Sequence, residues 1–121
     1  LIDRVRRGEA RRDPADTRYL NLIHRDDIVG TLFHVADQEA PASTYIGVDN
    51  APQNYNALLE WIAGRLGVPA PPVSDAPQTR GRPVRNRRCS NRRLVDSGFA
   101  FRYPDARQGY EELLSDAADL R

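Results

Sequence analysis

Apolar residues recur at helical spacing in the middle of the chain, three or four positions apart: Tyr55, Leu58, Leu59, Ile62 and Leu66. The pattern predicts a helix with Asn54 as its N-cap, because a side-chain oxygen there accepts a free backbone N–H. Gly67 is expected to close the helix in the left-handed conformation, and Pro69 prevents its continuation. This segment gives the strongest local signal in the chain.

A second apolar segment covers most of the circumference of a predicted helix: Ile28, Val29, Leu32, Phe33, Val35 and Ala36. Asp26 or Asp27 is expected to cap its beginning. A helix that is apolar on so many sides needs partners on more than one side. In a short chain such partners are scarce, so we expect Ile28, Leu32 and Phe33 to leave apolar surface uncovered and to favour self-association.

Shorter patterns fill the remaining sequence. Extended segments with β-branched, aromatic or alternating residues are predicted at 17–24, 43–48, 84–89 and 99–103. Helices are expected at 1–7 before Gly8, at 90–98 after a Ser90 cap, and from an Asp105 cap onward. A proline-rich loop at 69–83 interrupts the alternation. Strands alternating with helices predict the α/β class in a layered arrangement.

Composition limits the classes of protein that this chain can form. The 121 residues, 40% hydrophobic and 29% charged, fit one soluble globular domain over 1–121. No run of about 18 apolar residues is present, so no membrane span is predicted, and a cytoplasmic location is the default. A single cysteine, Cys89, excludes an internal disulfide. The absence of methionine at position 1 suggests a fragment.

Charge is unevenly distributed, although the net charge is only +1. Residues 80–93 include seven arginines, and Arg-Gly-Arg-Pro at 80–83 matches the core of an AT-hook. Binding to nucleic acid or to an acidic partner is therefore an alternative function, but it is not the expected one, because the acidic stretch at 26–75 can neutralise these arginines internally. Arg82 or Arg85 contacting an anionic substrate or a cofactor phosphate is a further option.

Several segments together resemble one enzyme family. They are Asn-Leu-Ile-His-Arg-Asp-Asp at 21–27, Tyr-Ile-Gly-Val-Asp-Asn-Ala-Pro at 45–52, Leu-Glu-Trp-Ile-Ala at 59–63 with Leu-Gly-Val-Pro at 66–69, and Asn-Arg-Arg-Cys-Ser-Asn-Arg-Arg-Leu at 86–94 followed by Phe-Arg-Tyr-Pro and Gly-Tyr. In this order they resemble the C-terminal portion of extended and atypical short-chain dehydrogenase/reductases, the NAD-dependent epimerase/dehydratase superfamily. The likeness covers nearly the whole chain.

The resemblance implies an oxidoreductase or isomerase whose Rossmann domain binds NAD or NADP and whose Tyr and Lys transfer protons. This chain has no glycine-rich phosphate loop, no Tyr-x-x-x-Lys and no lysine at all. It is therefore expected to be the substrate-side portion, to lack catalytic and cofactor-binding residues, and not to bind the cofactor tightly by itself. The missing Rossmann domain becomes its expected partner.

The resemblance also indicates what kind of substrate to expect. Family members that act on sugar nucleotides often carry Arg four residues before the His, where this chain has Leu20. Because leucine cannot bind a diphosphate, a small carbonyl or sugar-like substrate is expected instead. Asn21, His24, Arg82 and Arg85 are the candidate substrate-binding residues.

Two alternatives remain open at this point. His24 with Asp27 is either an acid–base pair or a strand end followed by a helix cap. A non-catalytic relative that senses dinucleotides would carry the same sequence features as an enzyme. No metal site is predicted, since His24 and His34 have no partner at ligand spacing.

Overall fold

The structure is a computed structural model that describes residues 1–75 and 86–119. These residues form five helices, α1 Ile2–Arg6, α2 Arg25–Ala36, α3 Tyr55–Leu66, α4 Arg92–Asp96 and α5 Ala106–Asp119. Two short strands, β1 Tyr19–Leu20 and β2 Gln53–Asn54, pair in antiparallel fashion, with Tyr19 opposite Asn54 and Leu20 opposite Gln53. The described fold is mostly helical with a small sheet.

The predicted strands are the main correction to the expected α/β alternation. The segment 17–24 contributes only β1, and the segments 43–48 and 99–103 form no strand. Their backbone groups bond instead to side chains that lie far away in the sequence. Asn91 Nδ2 donates to Val48 O at 2.8 Å, and Asp27 accepts the N–H groups of Arg102 and Tyr103. Residues 86–89 of the third predicted strand are not in a strand either, and 84–85 lie outside the described residues.

The chain folds into two compact units, each formed by two separate stretches of sequence. Unit 1 contains Leu1–Leu20 and Gln53–Arg87, and unit 2 contains Asn21–Pro52 and Arg88–Arg121. The expectation of a single substrate-side domain over 1–121 stays a prediction.

Unit 1 is built around α3. Helix α1 packs against α3. Four α3 residues have at most 1% of their surface exposed: Leu58, Leu59, Ile62 and Ala63. Asn54 Oδ1 accepts from Ala57 N at 3.0 Å, and Gly67 ends the helix with φ +67°. The predicted helix and both of its caps are therefore confirmed.

The beginning of the proline-rich segment is tied to unit 1 by hydrogen bonds. Arg12 N donates to Pro72 O at 2.9 Å, and Ser74 N donates to Arg12 O at 2.7 Å. The Arg12 side chain also donates to Pro71 O and pairs with Glu60. The part of the predicted 69–83 loop up to residue 75 is thus an ordered connection, and 76–83 lies outside the described residues.

Unit 2 contains α2, α4 and α5 with extended segments between them. Its buried residues include Leu94 and Tyr103 but also the carboxylates Asp27 and Asp49. The predicted helix α5 is confirmed, with Asp105 Oδ1 accepting from Arg107 N at 2.9 Å. None of the helices within the described ranges is both long and apolar enough to cross a membrane.

Helix α2 does not bury its apolar residues. The exposed fractions rise along the helix: Ile28 44%, Val29 48%, Leu32 66% and Phe33 73%. The expectation of uncovered apolar surface is confirmed for this chain. We call Ile28, Val29, Leu32 and Phe33 the open face of α2.

Candidate ligand-binding cleft

Unit 2 contains a cleft of about 330 Å³ between the chain segment that enters α2 and the first turns of α5. Eight residues line it: Leu22, Ile23, His24, Arg25, Ala106, Gly109, Tyr110 and Leu113. Its size falls at the small end of pockets that take small molecules, and its walls are largely apolar with a few polar groups. Of the described residues that line the cleft, none carries a carboxylate.

His24 is the N-cap of α2. Its extended backbone places Nδ1 3.1 Å from Asp26 N, from which it accepts a hydrogen bond. The prediction that Asp26 or Asp27 caps this helix was wrong, because the imidazole nitrogen takes that role. A ring that accepts at Nδ1 carries its proton on Nε2 when neutral. Within the described part of the chain, Nε2 has no hydrogen-bond partner, so it can donate to a ligand.

Tyr103 holds one face of the His24 ring. The two ring centroids lie 3.8 Å apart with an interplanar angle of 27°. The Tyr103 hydroxyl donates to Glu112 Oε2 at 2.5 Å, and this hydrogen bond to a carboxylate raises the pKa of Tyr103. The phenol therefore stays neutral and fixed at ordinary pH.

Gly109 allows α5 to approach the edge of the His24 ring. A Cβ at position 109 would lie 2.7 Å from His24 Cδ2, closer than carbon atoms can approach without displacement. Only glycine fits this position of α5 with the ring in place. The imidazole is thus held by Asp26 N–H, by Tyr103 and by the α5 backbone.

Asp27 has a structural task. It is 2% exposed, and its two carboxylate oxygens accept the N–H groups of Arg102 and Tyr103, each at 2.8 Å. These hydrogen bonds keep Tyr103 in position beneath His24. Because both oxygens are engaged in this way, the structure gives Asp27 the role of a backbone clamp and shows no hydrogen bond from it to His24.

Asp49 is a buried acid that the sequence indicated only as the end of an extended segment. It is 4% exposed, its N–H donates to Leu22 O at 2.7 Å, and its Oδ1 accepts from Ala51 N at 3.0 Å. Among the described residues, Oδ2 has no hydrogen-bond partner within the usual distance and angle limits. Burial raises the pKa of Asp49 to about 6, with the charges of Asp105 and Asp27 acting in the same direction and the backbone N–H groups of Ala51 and Ala106 opposing.

The structure separates the predicted substrate-binding residues. His24 lines the cleft, whereas Asn21 does not, because its Oδ1 accepts from Cys89 N at 2.8 Å and ties that segment in place. Arg82 and Arg85 lie outside the described residues. Gly109 and Tyr110 were missed as site residues. In the sequence they stood out only as the Gly-Tyr pair of the family resemblance.

Arginines at the end of the arginine-rich stretch have partners within the chain. Arg93 donates to Thr44 O at 3.1 Å, and Arg92 lies 3.7 Å from a carboxylate oxygen of Asp96. Arg87 and Arg88 also interact with other groups. No cluster of three metal-ligating side chains occurs in residues 1–75 and 86–119. The nucleic-acid alternative stays a prediction.

Comparison with known proteins identifies a similar structure but no known activity. No family model matches the chain, and no curated protein matches it. It is similar to a solved structure described as a functionally unknown conserved protein from Silicibacter pomeroyi DSS, with 27% sequence identity and a TM-score of 0.76. The match covers 89% of this chain and 42% of that chain. The chain thus spans less than half the length of the solved protein that it resembles.

Proposed function

We propose that this chain is the substrate-side portion of an NAD(P)-dependent epimerase/dehydratase or reductase that acts on a small carbonyl or sugar-like substrate. The open face of α2 is the observation that carries the proposal. In an ordinary surface helix, apolar residues face the core and polar residues face water. Helix α2 has the opposite arrangement.

The packed side of α2 carries polar or small residues at helical spacing. Asp27 is buried, and a Cβ on Gly30 would lie 3.4 Å from the Phe99 ring. His34 Nε2 lies 2.9 Å from Ser97 Oγ on the same side. The apolar residues Ile28, Val29, Leu32 and Phe33 therefore face away from the unit that the helix belongs to.

Such an arrangement is favourable only when a second body covers the apolar side. Full burial of one large aliphatic or aromatic side chain stabilises by about 1.5–3 kcal/mol, so four of them form a substantial unused interface. The solved protein that the chain resembles is more than twice the matched length, which is compatible with a further domain in the whole protein. In the proposal that domain is the NAD(P)-binding Rossmann domain.

The residues of this chain do not form a dinucleotide site, since the sequence has neither a glycine-rich phosphate loop nor a lysine. The cofactor supplies the hydride chemistry in this class of enzyme. The contribution of this chain is a wall of the substrate cleft, where His24 Nε2–H is oriented as a hydrogen-bond donor. No proton-transfer or hydride-transfer step is assigned to its residues.

Calorimetric titration tests the proposal. NAD⁺ and NADP⁺ are added to the 121-residue chain and to a longer chain that includes the protein sequence encoded upstream of Leu1. We expect no binding to the short chain, micromolar binding to the long one, and a glycine-rich strand–turn–helix fingerprint in the upstream sequence. Micromolar binding to the short chain, or none to the long chain, would contradict the proposal.

A further inference from the structure

We propose that the cleft beside His24 binds the carboxylate of a small aliphatic acid, with the hydrocarbon part lying against Leu22, Ile23 and Leu113. This inference deepens the proposed function and rests on it for the role of the ligand as substrate. Four properties of the cleft support it: the charge of its lining residues, its unpartnered donors, its apolar walls and the fixed geometry of the imidazole.

The polar groups at the cleft are donors. His24, Tyr110 and Arg25 line the cleft, and their donor groups are Nε2–H, a hydroxyl and a largely exposed guanidinium group. Neither His24 Nε2 nor the Tyr110 hydroxyl has a hydrogen-bond partner in the part of the chain that the structure describes. Burial raises the pKa of Tyr110, so its hydroxyl keeps its proton. An ionised carboxylate accepts hydrogen bonds and donates none, which matches this set.

Electrostatics favour an anionic ligand at this place over a cationic one. No acid lines the cleft in residues 1–75 and 86–116, and Arg25 lies at the first turn of α2, where the helix dipole is positive. Asp26 lies near Arg25, with 3.4 Å between Arg25 Nε and Asp26 Oδ1, and it offsets part of the arginine charge. Asp26 Oδ2 also lies 3.9 Å from His24 Nδ1, so the ligand is expected to place its charged end at Nε2.

The rest of the lining is apolar and suits an aliphatic body. Leu22, Ile23 and Ala106 contribute hydrocarbon, and Leu113 lies half-exposed at 52%. Covering Leu113 with a ligand would remove apolar surface from water. The cleft is too small for a nucleotide-sized ligand to be enclosed, since its volume of about 330 Å³ lies near the lower limit for drug-sized molecules.

The donor at His24 is fixed before any ligand arrives. The hydrogen bond from Asp26 N, the Tyr103 ring and the close approach of Gly109 restrict the imidazole on three sides. A group that is already ordered loses little conformational freedom on binding, which favours affinity. This arrangement also keeps Nε2 available, because Nδ1 is used by the helix cap.

The test is an NMR titration of the 121-residue chain with 4-methylpentanoate, using 4-methylpentan-1-ol as the neutral probe with the same hydrocarbon body. Saturable shifts are expected at the His24 ring and at Tyr110. The alcohol should bind about tenfold more weakly or worse, because it lacks the charged acceptor. No saturable shift with the acid, or equal affinity for the alcohol, would overturn the inference.

Substitution of His24 separates its ligand role from its cap role. His24→Asn keeps a favoured N-cap residue while it removes Nε2–H, so the helix should remain and affinity for the acid should fall about tenfold. Tyr110→Phe should weaken binding severalfold with the fold intact. His34→Asn is the matched control, since His34 lies on the same helix outside the cleft and should leave affinity unchanged.

The outcomes of this titration are distinct from those of the dinucleotide titration. Full affinity in both His24→Asn and Tyr110→Phe would overturn the assignment of the cleft, even if the longer chain binds NAD(P). Binding of the acid that depends on His24, with no dinucleotide binding to the longer chain, would support the cleft and remove the proposed function.

Discussion

Helices α2 and α3 have the same length of 12 residues and both carry several large apolar side chains, yet they differ in burial. Leu58, Leu59 and Ile62 of α3 are fully buried, whereas Leu32 and Phe33 of α2 are 66% and 73% exposed. Helix α3 turns its apolar stripe towards α1 and its own unit. Helix α2 turns polar and small residues inward, and its exposed apolar stripe is the surface that we propose for contact with a further domain.

The largest expected difference is between the effects of two alanine substitutions on stability, one in each helix. Ile62→Ala in α3 should lower the free energy of unfolding by about 2–5 kcal/mol, because it leaves a cavity in a closed core. Leu32→Ala in α2 should change it by less than about 0.5 kcal/mol, since water already contacts the side chain. Urea unfolding of the 121-residue chain measures both. Similar losses in the two variants would mean that α2 is covered in solution.

The packed side of α2 is expected to depend on a polar clamp. Asp27→Asn replaces one acceptor oxygen by an N–H donor that faces a backbone N–H, and the cost should be about 2–3 kcal/mol. Asp37→Asn at the exposed end of the same helix is the control and should be nearly neutral. Urea unfolding gives the stabilities, and the His24 ring signals should shift only in Asp27→Asn. An unchanged stability in Asp27→Asn would show that the clamp contributes little.

Buried acids in unit 2 should also produce a pH dependence. Burial raises the pKa of Asp49 to about 6 from its ordinary value of 3.8, so the folded state favours the protonated acid. This contribution to stability is present below about pH 4, decreases as the pH rises from about 4 to 6, and is lost above that range.

The substitution Asp49→Asn removes this penalty and retains an oxygen for the N–H of Ala51. At a pH of about 7.5 it should stabilise the chain by about 2 kcal/mol, and the gain should shrink towards zero near a pH of about 4. Unfolding by urea at several pH values, compared with the unsubstituted chain, measures the gain. A gain that does not change with pH would contradict the role of the Asp49 charge.

The smallest expected difference in stability is between alanine substitutions of two helical glycines. A Cβ on Gly64 of α3 meets no atom within 4 Å, so Gly64→Ala should stabilise by about 0.5–1 kcal/mol. Gly109→Ala places its Cβ against His24 Cδ2 and should cost about 1 kcal/mol and move the ring. Thermal unfolding and the His24 NMR signals distinguish the two. A stabilising Gly109→Ala would mean that the α5 backbone does not constrain the imidazole.

The parts of the fold that the sequence predicted correctly depend on local signals. Helix α3 was predicted with both of its ends, because Asn54 and Gly67 have strong local preferences at those positions. The cap of α2 was missed because His24 is not a typical N-cap residue. The open face of α2 was predicted because too many of its positions are apolar for a short chain to cover.

The remaining features depend on interactions between residues far apart in sequence. The segments at 43–48 and 99–103 have strand-like composition, but their backbone bonds go to the side chains of Asn91, Arg93 and Asp27. The cleft is similar: His24 was a candidate from its own motif, whereas the contribution of Gly109 arises only when α5 lies against it. No local sequence pattern predicts that α5 lies against His24.

We propose above all that the open face of α2 is an interface with a further domain. The most direct measurement introduces Phe33→Asp into the 121-residue chain and into the longer chain that includes the upstream sequence, and determines the unfolding free energy of both. We predict a change below about 0.5 kcal/mol in the short chain and a loss of several kcal/mol, with weakened NAD(P) binding, in the long one. Equal, small effects in both chains would contradict the claim.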